Sequence, residues 1–241
     1  MFDFAVLVEL RLLAPECVFV CDNTWLTAAL FNPFVHGADL VVESCTKYVS
    51  AGRCIGGCVT GARSSIAPLL TFSKTFGMFV GSDHATIFAE ELETMAQRVL
   101  ATSETAAAVA AELEHNPPRG LTRVIHPSLK SHPTHVRAAK YLQRGFPGCL
   151  LLHVDVPKNR LVKALQRLPP NAAVEFRTSF GGPAARFDPW PTAGPSDHYD
   201  VAQPAGTPGT WLRLALGYEQ PAAPVVAAVG ALLSHLNKPN A

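Results

Sequence analysis

Three short apolar runs near the start of the chain limit its fold more than any other feature of the sequence. They read VFVC at residues 18–21, ADLVV at residues 38–42 and GGCVTG at residues 56–61. Short apolar runs bounded by turn residues are typical of buried strands in an α/β sheet. Asp22 and Lys47 each come just after such a run. The pattern therefore places both at carboxyl ends of strands, where open α/β sheets bind their ligands.

A carboxylate and a lysine at neighbouring strand ends suit pyridoxal phosphate chemistry. Such an enzyme needs a lysine amine for the Schiff base and a carboxylate that keeps the pyridine nitrogen protonated. The hydroxyls of Ser44 and Thr46 lie beside Lys47 in the sequence and could bind the phosphate. Taken singly, Asp22 fits a turn cap better, because DNT is good turn chemistry, and Lys47 fits a surface lysine better; the cofactor interpretation depends on their combination.

The order and spacing of the motifs resemble one enzyme family. The segments DNTW, NPFVHGADLVVESCTKY and GRCIGGCVTG resemble the cysteine/methionine-metabolism family of pyridoxal phosphate enzymes, which includes cystathionine synthases and lyases, methionine γ-lyase and homoserine sulfhydrylases. The resemblance implies the α/β fold of type I pyridoxal phosphate-dependent transferases (aspartate aminotransferase-like). It also implies that Lys47 carries the cofactor, that Asp22 holds the pyridinium proton, and that Ser44 and Thr46 bind phosphate.

Composition narrows the remaining classes of function. The chain has 241 residues, 48% of them hydrophobic, and a formal net charge of +1. No basic patch predicts nucleic-acid binding and no apolar run is long enough for a membrane span. The start of the chain carries acids and an arginine inside its apolar run and does not resemble a signal peptide. Five of the six cysteines lie at residues 17–58 without zinc spacing, so we expect reduced thiols and a cytoplasmic protein.

Helical periodicity organises the rest of the chain. The segment at residues 83–115 predicts a long helix, within which we place the boundary between two domains: residues 1–105, the later part of a large cofactor-binding domain, and residues 106–241, an α+β C-terminal small domain. Further elements are expected as a helix at residues 135–144, strands at 149–156 and 173–180, a helix at 161–168, a strand in GTWLRLALGYE and a closing helix after it. Residues 181–209 are predicted to be irregular. His132 and His135 fit a loop and helix start better than a metal site.

A second group of candidate residues lies in the C-terminal half. Ser179 precedes FGG, and Arg213 lies in WLRLALGYE; both resemble family motifs in which the arginine, helped by the serine, holds the substrate carboxylate. A guanidinium binds a carboxylate in a fixed bidentate geometry. The alternative for Arg213 is a structural salt bridge, with Glu219 as a candidate partner.

Three departures from the family pattern stand out. Pro183-Ala184 and Asp197 before His198 occupy positions that shape the substrate pocket in the family, so neither the substrate nor the choice between synthase and lyase can be read from the sequence. The third is AEELETM at residues 89–95, which replaces an arginine-glycine-leucine turn.

The resemblance covers only the later part of the family chain. We therefore expect a homo-oligomer, or a hetero-oligomer with a chain that supplies an N-terminal half. A split subunit, a truncated gene product and a degenerate homologue all fit this expectation. The expected reaction is β- or γ-elimination or replacement at a carbon–sulfur bond of an amino-acid substrate, as in trans-sulfuration. The alternative is a non-catalytic partner subunit of a full-length family member.

Overall fold

A computed structural model describes residues 2–170, 172–190 and 209–237. The chain forms two compact units: the first comprises residues 1–100 and 136–145, and the second residues 101–135 and 146–241. Across the described residues no helix is both long and apolar enough to cross a bilayer. The predicted division at residue 105 into a cofactor-binding part and a small domain stays a prediction.

The first unit is built around a small mixed sheet. Its elements are α1 (Val6–Leu13), β1 (Val20–Asp22), α2 (Thr27–Leu30), a 3₁₀ helix (Pro33–His36), β2 (Leu40–Ser44), β3 (Gly57–Gly61), α3 (Arg63–Thr75), the start of α4 (Ser82–His115) and most of α5 (His135–Tyr141). The strand order is β1-β2-β3, with β1 parallel and β3 antiparallel to β2. All three predicted strands are confirmed, as is the long helix predicted at residues 83–115.

The longest helix of the first unit that was not predicted is α3. Helix α3 contains Pro68, a residue that removes a backbone hydrogen bond from a helix interior. Neither α3 nor α1 buries any of its residues completely. Both helices therefore contribute apolar surface to the outside of this unit.

The second unit is a five-stranded sheet with a larger core. It contains the rest of α4, β4 (Leu121–Ile125), β5 (Cys149–Val154), α6 (Lys158–Gln166), β6 (Val174–Phe176), β7 (Ala185–Trp190), β8 (Thr210–Ala215) and α7 (Ala222–Leu236). The strand order is β4-β5-β8-β7-β6. Leucines of β5 and β8 and the inward faces of α4, α6 and α7 form one buried apolar cluster.

The prediction that residues 181–209 are irregular is wrong in part. Residues 185–190 form β7, which pairs with β8 along its length and with β6 over three residues. The remainder of that segment, with Asp197 and His198, lies outside the described residues. As predicted, His135 begins α5 and His132 lies in the turn before it.

Candidate active site

The carboxyl ends of β1 and β2 bring two of the predicted residues onto one face. Asp22 is paired with Val42 in the parallel register, and Ser44 follows Val42 by two residues. Since side chains two residues apart point to the same side of a strand, Asp22 and Ser44 share a face. Thr24 links the two ends, because its hydroxyl oxygen accepts a hydrogen bond of 2.8 Å from the Ser44 N–H.

One oxygen of the Asp22 carboxylate stabilises a turn, and the other is open to a ligand. Its Oδ1 accepts a hydrogen bond from the Thr24 N–H at 2.9 Å. Asp22 is exposed to solvent, and among the described residues its Oδ2 accepts no hydrogen bond. The turn interpretation and the cofactor interpretation are therefore compatible, since each uses a different oxygen.

Lys47 lies in a tight turn that begins where β2 ends. Its backbone N–H donates to the Ser44 carbonyl at 3.2 Å, and its carbonyl accepts from the Gly52 N–H at 3.1 Å. Ala51 in this turn has a φ of 54°, in the left-handed region that non-glycine residues rarely adopt. Strain of this kind persists only where the surrounding structure fixes it, and it is concentrated at functional sites.

The two hydroxyls beside Lys47 differ in their surroundings. The Thr46 hydroxyl accepts from the Gly56 N–H at 3.1 Å and donates to the Gly56 carbonyl at 3.3 Å, which fastens the start of β3 to the lysine turn. The Ser44 hydroxyl is half-buried and makes no hydrogen bond with the described residues. A ligand could therefore bind the Ser44 hydroxyl directly, whereas the Thr46 hydroxyl would first have to give up its bond to Gly56.

The opposite face of this sheet carries thiols and one carboxyl. Burial raises the pKa of Glu43, which lies opposite Cys58 in the register. The hydrogen bond between Cys45 and Cys58, followed by burial, raises the pKa of the Cys45 thiol, and the same bond lowers the pKa of the Cys58 thiol. These groups satisfy one another, and the described residues contain no cluster suited to a metal ion.

In the second unit Arg213 is held by an aspartate. Its Nη2 lies 2.6 Å from Asp188 Oδ2 and 3.4 Å from the Thr178 hydroxyl, which itself donates to Asp188 at 2.9 Å. Both charged side chains are buried. The suggested partner Glu219 is exposed, so the salt bridge considered from the sequence exists, but with a different acid.

Ser179 adopts an unusual backbone conformation one residue after Thr178. Its φ is 81°, a region in which a side chain other than glycine is strained. The side chain is half-buried, and Phe180 and Gly181 after it are buried. Such an outlier supports a functional role for this residue.

Two residues that hold the candidate site residues in place were not identified from the sequence. Thr24 lies inside the DNT motif, yet only the register shows that its hydroxyl binds the next strand. Asp188 falls in a stretch that was expected to be irregular. The available signal was the alternation of Ala185, Phe187 and Pro189 with the charged residues Arg186 and Asp188.

The donor set at the β1 and β2 ends fits pyridoxal phosphate. An exposed carboxylate oxygen, a serine hydroxyl and a lysine in a strained turn are what the pyridine nitrogen, the phosphate and the aldehyde carbon of this cofactor require. The fold and this group of residues define the class of the protein as an α/β sheet protein whose strand ends carry residues that could hold pyridoxal phosphate.

Comparison with known proteins identifies the family. Residues 1–220 match the model of the Cys/Met metabolism PLP-dependent enzyme family, and the chain belongs to that family. Its members depend on pyridoxal phosphate and include trans-sulfuration enzymes. The resemblance inferred from the sequence motifs is thereby confirmed.

Individual relatives agree with this assignment. The chain is 37% identical over 145 residues to an O-succinylhomoserine sulfhydrylase of Pseudomonas aeruginosa, covering 60% of this chain and 35% of that protein. It is 30% identical over 207 residues to cystathionine gamma-synthase of Escherichia coli, covering 84% and 52%. A crystal structure of cystathionine gamma synthase from Xanthomonas oryzae pv. oryzae matches with a TM-score of 0.80 and 25% identity, covering 98% and 60%.

Two conclusions follow from these matches. The structural match confirms the fold type I architecture. The chain spans between about a third and three fifths of the length of these relatives.

Proposed function

We propose that this chain contributes the lysine-bearing part of a pyridoxal phosphate-dependent enzyme that makes or breaks a carbon–sulfur bond of an amino acid. The observation that carries the proposal is the shared face of Asp22 and Ser44, with Lys47 in a strained turn directly after. Family membership supplies the reaction class: β- or γ-elimination or replacement on a sulfur amino acid or an O-acylated homoserine.

Each residue at the strand ends has a separate task in this proposal. The cofactor, when bound, supplies an electron-withdrawing ring. Lys47 would hold it covalently through its amine and would move protons at Cα and Cβ of the substrate. Asp22 Oδ2 would bind the pyridinium N–H, while Oδ1 keeps the turn closed. Ser44, and Thr46 after exchange of its bond to Gly56, would donate to the phosphate.

Arg213 and Ser179 are proposed to bind the substrate carboxylate. The buried ion pair with Asp188 anchors the guanidinium through Nη2, and a guanidinium recognises a carboxylate through parallel N–H donors. The strained φ of Ser179 fits a hydroxyl or N–H held in place for the same group.

A second candidate, a non-catalytic partner subunit of a full-length relative, is favoured by the outer surface of the first unit. Large apolar side chains of α1 and of the segment after α3 are exposed, among them Leu12, Leu13, Phe76, Met78 and Phe79. Strand β1 has a neighbour on one side only in the described sheet, and open edges and apolar patches promote association. We propose that a second chain, identical or homologous, covers this surface.

The free state of all six cysteines supports a cytoplasmic location.

Activity in the presence and absence of a second chain separates the two candidates. The chain would be purified alone and together with a chain that carries the phosphate-binding glycine-rich segment of the family, and each would be assayed for elimination from cystathionine and from O-succinylhomoserine. An enzyme subunit gives turnover that Lys47→Ala abolishes, with Lys74→Ala, an exposed lysine of α3, as the matched control. Turnover that survives Lys47→Ala in the mixture shows that this chain is the non-catalytic partner.

A further inference from the structure

The AEELETM stretch, which departs from the family pattern, contains an acid that binds a buried arginine. Arg98 on α4 is only 8% exposed. Its Nη1 lies 3.1 Å from Glu91 Oε2 and also contacts the Thr94 hydroxyl, while its Nη2 donates to the Glu91 carbonyl at 3.0 Å. Burying a guanidinium is costly unless it is paired and hydrogen-bonded, so the ion pair with Glu91 offsets the cost of burying Arg98.

Arg98 uses its remaining reach to hold the lysine turn. Its Nη2 donates to the carbonyl of Tyr48 at 2.9 Å, and Tyr48 directly follows Lys47. The same carbonyl accepts the N–H of Ala51, the residue with a φ of 54°. Arg98 therefore binds the backbone oxygen that accepts the N–H of the strained residue.

A second arginine fastens the far end of the turn to the same acid. Arg53 Nη1 lies 2.8 Å from Glu91 Oε1 and 3.4 Å from Glu90 Oε2. Arg53 is half-exposed, so its ion pairs are weaker than the buried one. The two oxygens of Glu91 thus bind an arginine of α4 and an arginine of the turn, and we call Arg53, Glu91 and Arg98 the turn clamp.

Helix α4 also approaches the turn at Gly56. A Cβ at this position would collide with the ring of Phe88, and Gly56 is the residue that binds the Thr46 hydroxyl on both its backbone groups. Helix α4 therefore contacts both ends of the lysine turn, and these contacts do not involve a cofactor.

We propose that the turn clamp positions Lys47. Arg98 and Glu91 are positioning residues, because they act on the lysine through the Tyr48 carbonyl. This inference rests on the proposed role of Lys47. The turn clamp is the part of the chain that presents the Lys47 amine.

The test combines two readouts on four variants of the full chain. Glu91→Gln and Arg98→Met remove one partner each, and Glu93→Gln, an exposed acid on the same helix, is the matched control. Ala51→Gly, which relieves the left-handed strain, is combined with Glu91→Gln as a rescue. Hydrogen exchange is measured at the amides of Ala51 and Gly52, and pyridoxal phosphate is trapped with borohydride and quantified on Lys47 by peptide mapping, after thermal unfolding has shown that each variant is folded.

Loss of a charge-assisted hydrogen bond in the clamp should speed exchange at both amides by about tenfold or more. Trapping on Lys47 should fall severalfold in Glu91→Gln and recover in the double variant with Ala51→Gly, a recovery that a general loss of stability would not give. Exchange and trapping equal to those of Glu93→Gln would overturn the proposal. A wild-type chain that traps nothing on Lys47 contradicts the proposed function instead, and exchange at Gly52 still decides whether the clamp holds the turn.

Discussion

The triplet Asp22-Asn23-Thr24 shows how far single residues can be interpreted from sequence. Its turn chemistry was predictable, since the Asp22 carboxylate accepts from the N–H two residues on. The partners of the other two were not, because Asn23 donates to the Phe31 carbonyl and Thr24 accepts from Ser44. These contacts join segments far apart in sequence, and only the sheet register brings them together.

The two roles of the Asp22 carboxylate can be separated by one substitution. Asp22→Asn keeps an Oδ1 acceptor for the Thr24 N–H, so the melting temperature should stay within about 2 °C, as is usual for a surface change of under 0.5 kcal/mol. The neutral amide cannot hold the pyridinium charge, so turnover of the complemented enzyme should fall at least about a hundredfold. Turnover within a few-fold of the wild type would mean that Asp22 is a turn residue alone.

His126 makes the second unit sensitive to acid. Burial lowers the pKa of His126 to about 4, from 6.5. Its Nε2–H donates to the Pro147 carbonyl and its Nδ1 accepts from Ser128, so the folded unit holds the neutral ring. Below pH 6.5 the His126 imidazole takes up a proton in the unfolded chain but stays neutral in the folded chain. The stabilisation is therefore complete above pH 6.5 and declines as the pH falls to about 4.

Between pH 6.5 and about 4, the free energy of unfolding should fall by on the order of 3 kcal/mol, because each unit of pKa shift is worth about 1.4 kcal/mol. Denaturant titrations from pH 7 to pH 4 measure it, together with the proton resonances of the His126 ring in the folded chain. A ring that becomes protonated near pH 6.5 without unfolding would contradict this account.

At the scale of elements, strands with simple apolar patterns were predictable and mixed ones were not. Strand β7 reads ARFDPW, and its Asp188 and Pro189 disguise it. Proline is tolerated because Pro189 lies beyond the last residue that pairs with β6, where β7 has a single neighbour. Helix α3 was missed for a related reason, since Pro68 interrupts its pattern. Because β7 was not predicted, its residue Asp188 was not recognised as the partner of Arg213.

The end of β8 offers a matched test of this packing. A Cβ at Gly217 would lie 2.0 Å from the Pro183 carbonyl oxygen, which is backbone and cannot rotate away. Gly217→Ala should therefore destabilise the second unit by about 1–3 kcal/mol, as overpacking does. A Cβ added at Gly230 in α7 would meet nothing within 4 Å, and Gly230→Ala should stabilise by about 0.5–1 kcal/mol. Equal effects of the two substitutions in chemical denaturation would refute the packing at Pro183–Ala184.

For the whole molecule, the sequence predicted family and fold because its motifs are specific, and left assembly open. The apolar side chains on the outside of the first unit include Leu12 and Leu13, which are 81% and 82% exposed. Exposed clusters of this kind associate in water, so the chain alone should self-associate. Light scattering on Leu12→Ser/Leu13→Ser should show a smaller species. Val136→Ser, at an isolated residue that is 83% exposed, should change nothing. A monodisperse wild-type monomer would contradict the expectation.

Locating the bound cofactor decides whether the amine of Lys47 holds pyridoxal phosphate. The chain is mixed with pyridoxal phosphate, reduced with borohydride and digested, and the pyridoxyl group is quantified on every lysine. Lys47 should be labelled at least about tenfold more than Lys74, since a site that adds about 1.4 kcal/mol of binding gives that ratio. Lys47→Ala should remove the dominant peptide. Labelling spread evenly over the lysines, or a dominant peptide that survives Lys47→Ala, would contradict this role of Lys47.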